Sequence, residues 1–119
     1  MTTRGEDHDA QREQAEARFE RLYAEHGRAV LAYAVRRASN AHDAADVVAE
    51  VFLVAWRRLD DVPASDGARL WLYAVARRVL ANQQRAESRR RRLAERLRRE
   101  LPCALEAAAP STGEAVRFW

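Results

Sequence analysis

At 119 residues the chain has room for one small domain and a tail. Gly and Pro are scarce, at four and three copies, while Ala, Leu, Val, Arg and Glu dominate, a balance that favours an all-α protein. The net charge of +3 hides an asymmetry: residues 1–66 carry nine Arg against thirteen acids, or −4, and residues 67–119 carry twelve Arg against five acids, or +7. An acidic front and a basic back point to two different partner surfaces. The single Cys103 excludes an internal disulfide framework and a Cys-based zinc site. His8, His26 and His42 are spaced too far apart to share a metal and read as surface residues, so no metal or cofactor is implied. No apolar run is long enough to span a bilayer and the acidic N-terminus is unlike a secretory signal, so the expectation is a cytoplasmic protein without membrane contact.

Residues 1–14 are polar and read as a flexible N-terminus. From about Ala15 to Ala38, the positions Ala15, Phe19, Leu22, Tyr23, Val30, Tyr33 and Ala34 recur at three-and-four spacing, which predicts an amphipathic helix with a kink or break at Gly27. Asn40 is a candidate N-cap for a second helix, with Asp43 in its first turn. That helix runs to about Leu59. Its expected buried stripe is Ala44, Val47, Val48, Val51, Ala55 and Leu59, flanked by Phe52 and Trp56. Asp43, Asp46, Glu50, Leu53 and Arg57 share the opposite side. The stretch Asp60, Asp61, Val62, Pro63, Ala64, Ser65, Asp66 and Gly67 reads as a loop, with Ser65 or Asp66 capping the next helix. This third helix starts near Ala68 and is apolar at Leu72, Val75, Ala76 and Val79. Leu93, Leu97 and Leu101 form a further stripe that Pro102 should end. Residues 102–115 read as a flexible linker, and Val116–Trp119 turn apolar again.

The third helix sets aromatic residues, Trp71 and Tyr73, ahead of the run Arg89–Arg92. Nucleic acid offers a charged backbone and flat base faces, and arginine and aromatic rings answer these respectively. Each feature also has a plainer reading. The acids of the second helix can be a solvated face, and aromatics beside Leu72 are usually core. Four consecutive arginines point in all directions, which suits unspecific attraction and not base readout. Adjacent helix positions point about 100° apart, so one of Trp71 and Tyr73 is favoured over both as a DNA contact. No paired acids in an apolar setting, no Ser/His/Asp arrangement and no glycine-rich phosphate loop support an enzyme.

The run DAADVVAEVFLVAWRRLDD, a short loop, then ARLWLYAVARRVLANQQRAESRRRR resembles region 2 of bacterial RNA polymerase sigma factors, nearest to the extracytoplasmic-function (ECF) group. The upstream FERLYAEHGRAVLAYAVRRAS is similar to the helix that opens that domain. The resemblance covers about residues 17–92. It implies a compact three- to four-helix domain over residues 15–92 with a long basic final helix. It also implies partners: core RNA polymerase through the β′ clamp and promoter DNA as the melted −10 strand, with an anti-sigma factor as a further candidate and no small-molecule substrate. Carried over position by position, Asp43, Asp46, Glu50, Leu53 and Arg57 would dock on polymerase. The Asp60–Gly67 loop would capture a flipped base. Arg69, Trp71, Tyr73, Arg77, Arg78, Asn82 and Arg85 would hold DNA. Ala45 and Ala49 stand where the family often has Glu and Gln, and Arg78 where many members have Asn. Residues 93–119 read as a helical extension and linker towards a −35-reading region 4 domain absent from this sequence, as in a truncated protein.

Two other classes remain open at this level. A basic helical nucleic-acid binder acting without polymerase would bind DNA or RNA strongly alone and ignore charge reversal at Asp46 and Glu50. A protein-interaction helical bundle would show no salt-sensitive DNA binding.

Overall fold

A computed structural model describes residues 3–108. Among these are three α-helices, α1 (Thr3–Arg37), α2 (Ala41–Arg57) and α3 (Asp66–Ala107), a 3-10 turn at Leu59–Asp61, and no strand. The described residues fall into two units, divided between Gln83 and Gln84. The apolar reading of Val116–Trp119 and the last part of the expected linker lie outside the described residues.

In the first unit α1 and α2 pack antiparallel. Phe19 of α1 meets Phe52 and Trp56 edge-on, at 6.2 and 5.5 Å between ring centroids, and Tyr23 meets Phe52 at 5.1 Å. These rings bury Phe52, expected only to flank the α2 stripe, whereas Tyr23, expected in the core, stays about half exposed. α3 returns antiparallel to α2: Gln83 Nε2 donates to the Asp43 carbonyl at 3.3 Å near one end, and the Arg58 guanidinium lies 5.9 Å from the Trp71 ring near the other. The closed core is Leu22, Val30 and Ala34 of α1, Ala44, Val47, Val51, Phe52 and Ala55 of α2, Leu59 and Val62 of the connection, and Ala68, Leu72, Ala76 and Leu80 of α3. Periodicity alone predicts most of these positions, because residues three and four apart share one helix face.

The breaks at Asn40 and Pro63 fall where the sequence places them, but other helix limits differ from expectation. α1 begins at Thr3, although no side chain from residue 5 to residue 14 is buried; the first to reach the core is Ala15. Gly27 lies inside an unbroken helix. A Cβ there would stand 3.3 Å from the Tyr23 ring, so its smallness serves packing and not a kink. Pro102 also lies inside α3, which ends at Ala107 instead of before the proline. The missing N–H removes one helical hydrogen bond, to the Arg98 carbonyl, but Arg98 is exposed, so water can satisfy that carbonyl. The strong formers Ala104, Leu105, Glu106 and Ala107 carry the helix on.

Asn40 caps α2 as expected: its backbone is extended at φ −157°, and its side-chain oxygen accepts from the Asp43 N–H at 2.8 Å. Its amide also donates to the Asp43 carboxylate at 3.1 Å, so cap and first-turn acid hold each other.

The second unit contributes the remainder of α3. Leu93, Leu97, Leu101 and Leu105 are each more than half exposed there. Arg96 and Glu100 pair at 3.1 Å one turn apart, the sort of exposed i,i+4 contact that adds only a few tenths of a kcal/mol, roughly.

Candidate functional site

The expected loop is short and tightly held. Leu59–Asp61 coil into the 3-10 turn, and Val62 inserts into the core. Arg18 of α1 reaches across 44 positions to donate to the Val62 carbonyl at 2.8 Å. Pro63, Ala64 and Ser65 form the exposed tip. Ser65 sits at φ +57°, left-handed backbone that a side chain disfavours, and its carbonyl accepts the Ala68 N–H at 3.1 Å. Asp66 and Gly67, read as loop, belong to the first turn of α3. Gly67 is required for a different reason: a Cβ would stand 2.9 Å from the Pro63 Cβ. Replacing Gly67 with alanine should therefore lower the melting temperature by about 4–8 °C, a net loss near 1 kcal/mol. The clash outweighs the usual helical gain of alanine over glycine. Thermal unfolding followed by circular dichroism checks this, and a rise would show that Pro63 yields freely.

Between this loop and α1 lies a pocket of about 220 Å³, walled by Arg18, Arg21, Leu22, Glu25 and His26 on one side and by Leu59, Val62 to Ser65 and Ala68 on the other. It is smaller than the roughly 300–1,000 Å³ of drug-sized sites. Its α1 wall was not foreseen. His26, read as a surface residue, is 7% exposed, and its Nδ1 accepts from Arg69 Nε at 3.3 Å. The signal was present: Leu22, His26, Val30 and Ala34 recur every four residues, on the stripe that faces the core. His42 is exposed as expected, 3.9 Å from Asp46.

The α3 candidates of the first unit separate into two lines, because residues four apart share a flank while neighbours diverge by about 100°. Arg69, Tyr73 and Arg77 form the line beside α1. There Tyr73 stacks on Tyr33 at 4.9 Å and 16°, and Arg37 lies 3.6 Å over the Tyr33 ring while donating to the Tyr33 carbonyl at 3.2 Å. Two flat groups this close to one ring cannot share a face, so Arg37, Tyr33 and Tyr73 form a three-layer stack. Trp71, Arg78 and Asn82 form the other line, with Arg58 near Trp71 and bonded to Asp61 at 3.1 Å. Trp71 and Tyr73 are both half-buried, on opposite flanks of the fully buried Leu72. Arg85 is exposed and belongs to the second unit. Sequence spacing gives Tyr33 only as part of the apolar stripe of the first helix and does not mark Arg37; both come to α3 through the pairing of α1 with it.

On α2, Asp46, Glu50, Leu53 and Arg57 are exposed and lie along one stripe opposite the buried one, with Leu53 an apolar spot 42% exposed among the charges. Asp43 is half-buried and engaged by Asn40, so it lies at the margin of that stripe. None of these residues lines the pocket. Among the described residues no group of three His, Cys, Asp or Glu side chains could hold a metal ion, and no helix is long and apolar enough to cross a membrane.

Residues 22–90 match the family model for sigma-70 region 2. The ECF RNA polymerase sigma factor SigL of Mycobacterium tuberculosis is 38% identical over 66 residues, which is 55% of this chain and 37% of that protein; the figures are the same in three strains. The match thus covers little more than a third of the relative's length. No solved structure matches the chain.

Proposed function

The chain belongs to the sigma-70 region 2 family, and on that premise we propose that it joins core RNA polymerase to promoter DNA, docking through α2 and receiving the opening −10 element at the loop and α3. The partners are the β′ clamp on one side and the melted promoter strand on the other, which makes the role one in transcription initiation.

The observation that carries this reading is the pocket under the loop together with the line Arg69, Tyr73, Arg77 beside α1. A base pulled from the stack costs a few kcal/mol, roughly, and needs a snug receptor to repay it. The 220 Å³ cleft suits one flat base. Its loop wall is already rigid, fixed by the Arg18 bond to Val62, by the buried Val62 side chain and by the close Gly67–Pro63 approach, so little ordering remains to be done on binding. The positive line next to it gives phosphates a track. The exposed stripe of α2 lies apart from that cleft and has an apolar centre with a charged rim, the anatomy of a protein interface. The arginines at 89–92 are exposed and add unspecific attraction.

Exchanging Pro63, Ala64 and Ser65 for another loop sequence of the same length tests the assignment. Base preference at the −10 element should change while affinity for core polymerase holds. An unchanged preference would remove the loop from the mechanism.

A further inference from the structure

Among the described residues, His26 is the buried polar side chain of the core, and its ring is not idle. Nδ1 accepts from Arg69 Nε at 3.3 Å. A ring nitrogen that accepts carries no proton, so the proton sits on Nε2, which lies 3.6 Å from Glu25 Oε2. The carboxylate on one side of the ring thus favours the tautomer that leaves the other side free to accept.

We propose that His26 is a positioning residue that holds Arg69 by its Nε, so that the two terminal amines of the guanidinium stand as a clamp for a DNA phosphate beside the loop pocket. This rests on the DNA half of the reading above. A guanidinium is planar with donors at fixed angles, so once Nε is spent on the imidazole, the edge formed by the two terminal amines points away from the ring. That edge matches two oxygens of one phosphate. Holding a long arginine still costs up to about 2 kcal/mol of rotamer entropy. The core histidine meets that cost before DNA arrives, because the imidazole is itself immobilised by burial. Leucine would fill the Leu22, His26, Val30 stripe without any polar group to satisfy, yet the imidazole there spends its acceptor on an exposed arginine from another helix. The surroundings also favour an anion: Arg18 and Arg21 share the pocket wall with one carboxylate, Glu25.

The test is a double-mutant cycle on the full chain, read by fluorescence anisotropy with a short labelled single-stranded DNA of random sequence across a salt series. Arg69→Ala and His26→Leu should each weaken binding about tenfold and each lower the salt slope by about one phosphate. The double variant should bind no worse than Arg69→Ala alone, and His26→Asn, which retains an acceptor, should recover most of the loss. Wild-type affinity in His26→Leu, or losses that add, would overturn the proposal while leaving the DNA reading intact. If the unaltered chain binds no single-stranded DNA at any salt, the DNA reading falls and this one with it. Should His26→Leu fail to fold, nitrogen NMR of the unaltered chain decides. A proton on Nε2 with a slowly exchanging Arg69 Nε–H supports the proposal, and a proton on Nδ1 overturns it.

Discussion

Reversing two charges on α2, Asp46→Arg together with Glu50→Arg, is expected to abolish binding to core RNA polymerase and to leave the fold unchanged. Both side chains are exposed and neither belongs to the core cluster, so the thermal melt should move by less than about 1 kcal/mol in stability terms. At the interface each substitution replaces an attraction with a repulsion. Like charges brought together there cost several kcal/mol, enough to raise Kd more than about 100-fold. Asp43 is a poorer choice for the same experiment, because its carboxylate is tied to the Asn40 cap and its loss would mix helix stability with docking. Leu53 provides a second handle. Leu53→Asp should weaken docking without touching the pocket, which it does not line. Normal binding by the double reversal would mean that α2 is not the docking face.

The second large effect concerns the core that supports both surfaces. Leu72 is fully buried, among the largest side chains so placed, and it lies directly between Trp71 and Tyr73. Leu72→Ala should cost about 2–5 kcal/mol, the transfer loss plus the cavity left behind. Total stability in small domains is only about 5–15 kcal/mol. The melting temperature should accordingly fall by roughly 10–25 °C, and function should fail at temperatures where the variant is partly unfolded. A fall of only a few degrees would show that α3 is not packed through this face.

Much of the architecture is legible from residue spacing. The α2 stripe, the Asn40 cap and the Leu72–Ala76 face follow from local rules, since each depends on neighbours within two helical turns. What escapes is decided at longer range. His26 reads as a surface residue when judged by its chemistry, but as core when judged by its place between Leu22 and Val30. Gly27, Gly67 and Pro102 read as breaks because isolated helices dislike them. Tyr23 and Pro63 explain the two glycines by space, and strong helix formers outlast the proline. The loop is visible as Pro- and Gly-containing text, yet the pocket beside it is closed by Arg18, Arg21, Glu25 and His26, some forty residues upstream. The division of the α3 candidates into two lines likewise depends on which helix lies against each flank. Tyr33 and Arg37 enter only because α1 lies beside Tyr73.

In the proposed mechanism one chain carries two separate surfaces, one for polymerase and one for opened promoter DNA. Selection from a pool of randomised single-stranded DNA tests this most directly, comparing core polymerase alone, the chain alone and the two together. A short common motif should be enriched only when chain and core are combined, and changing residues 63–65 should change that motif. Equal enrichment by the chain alone, or none in the presence of core, would contradict the two-surface mechanism.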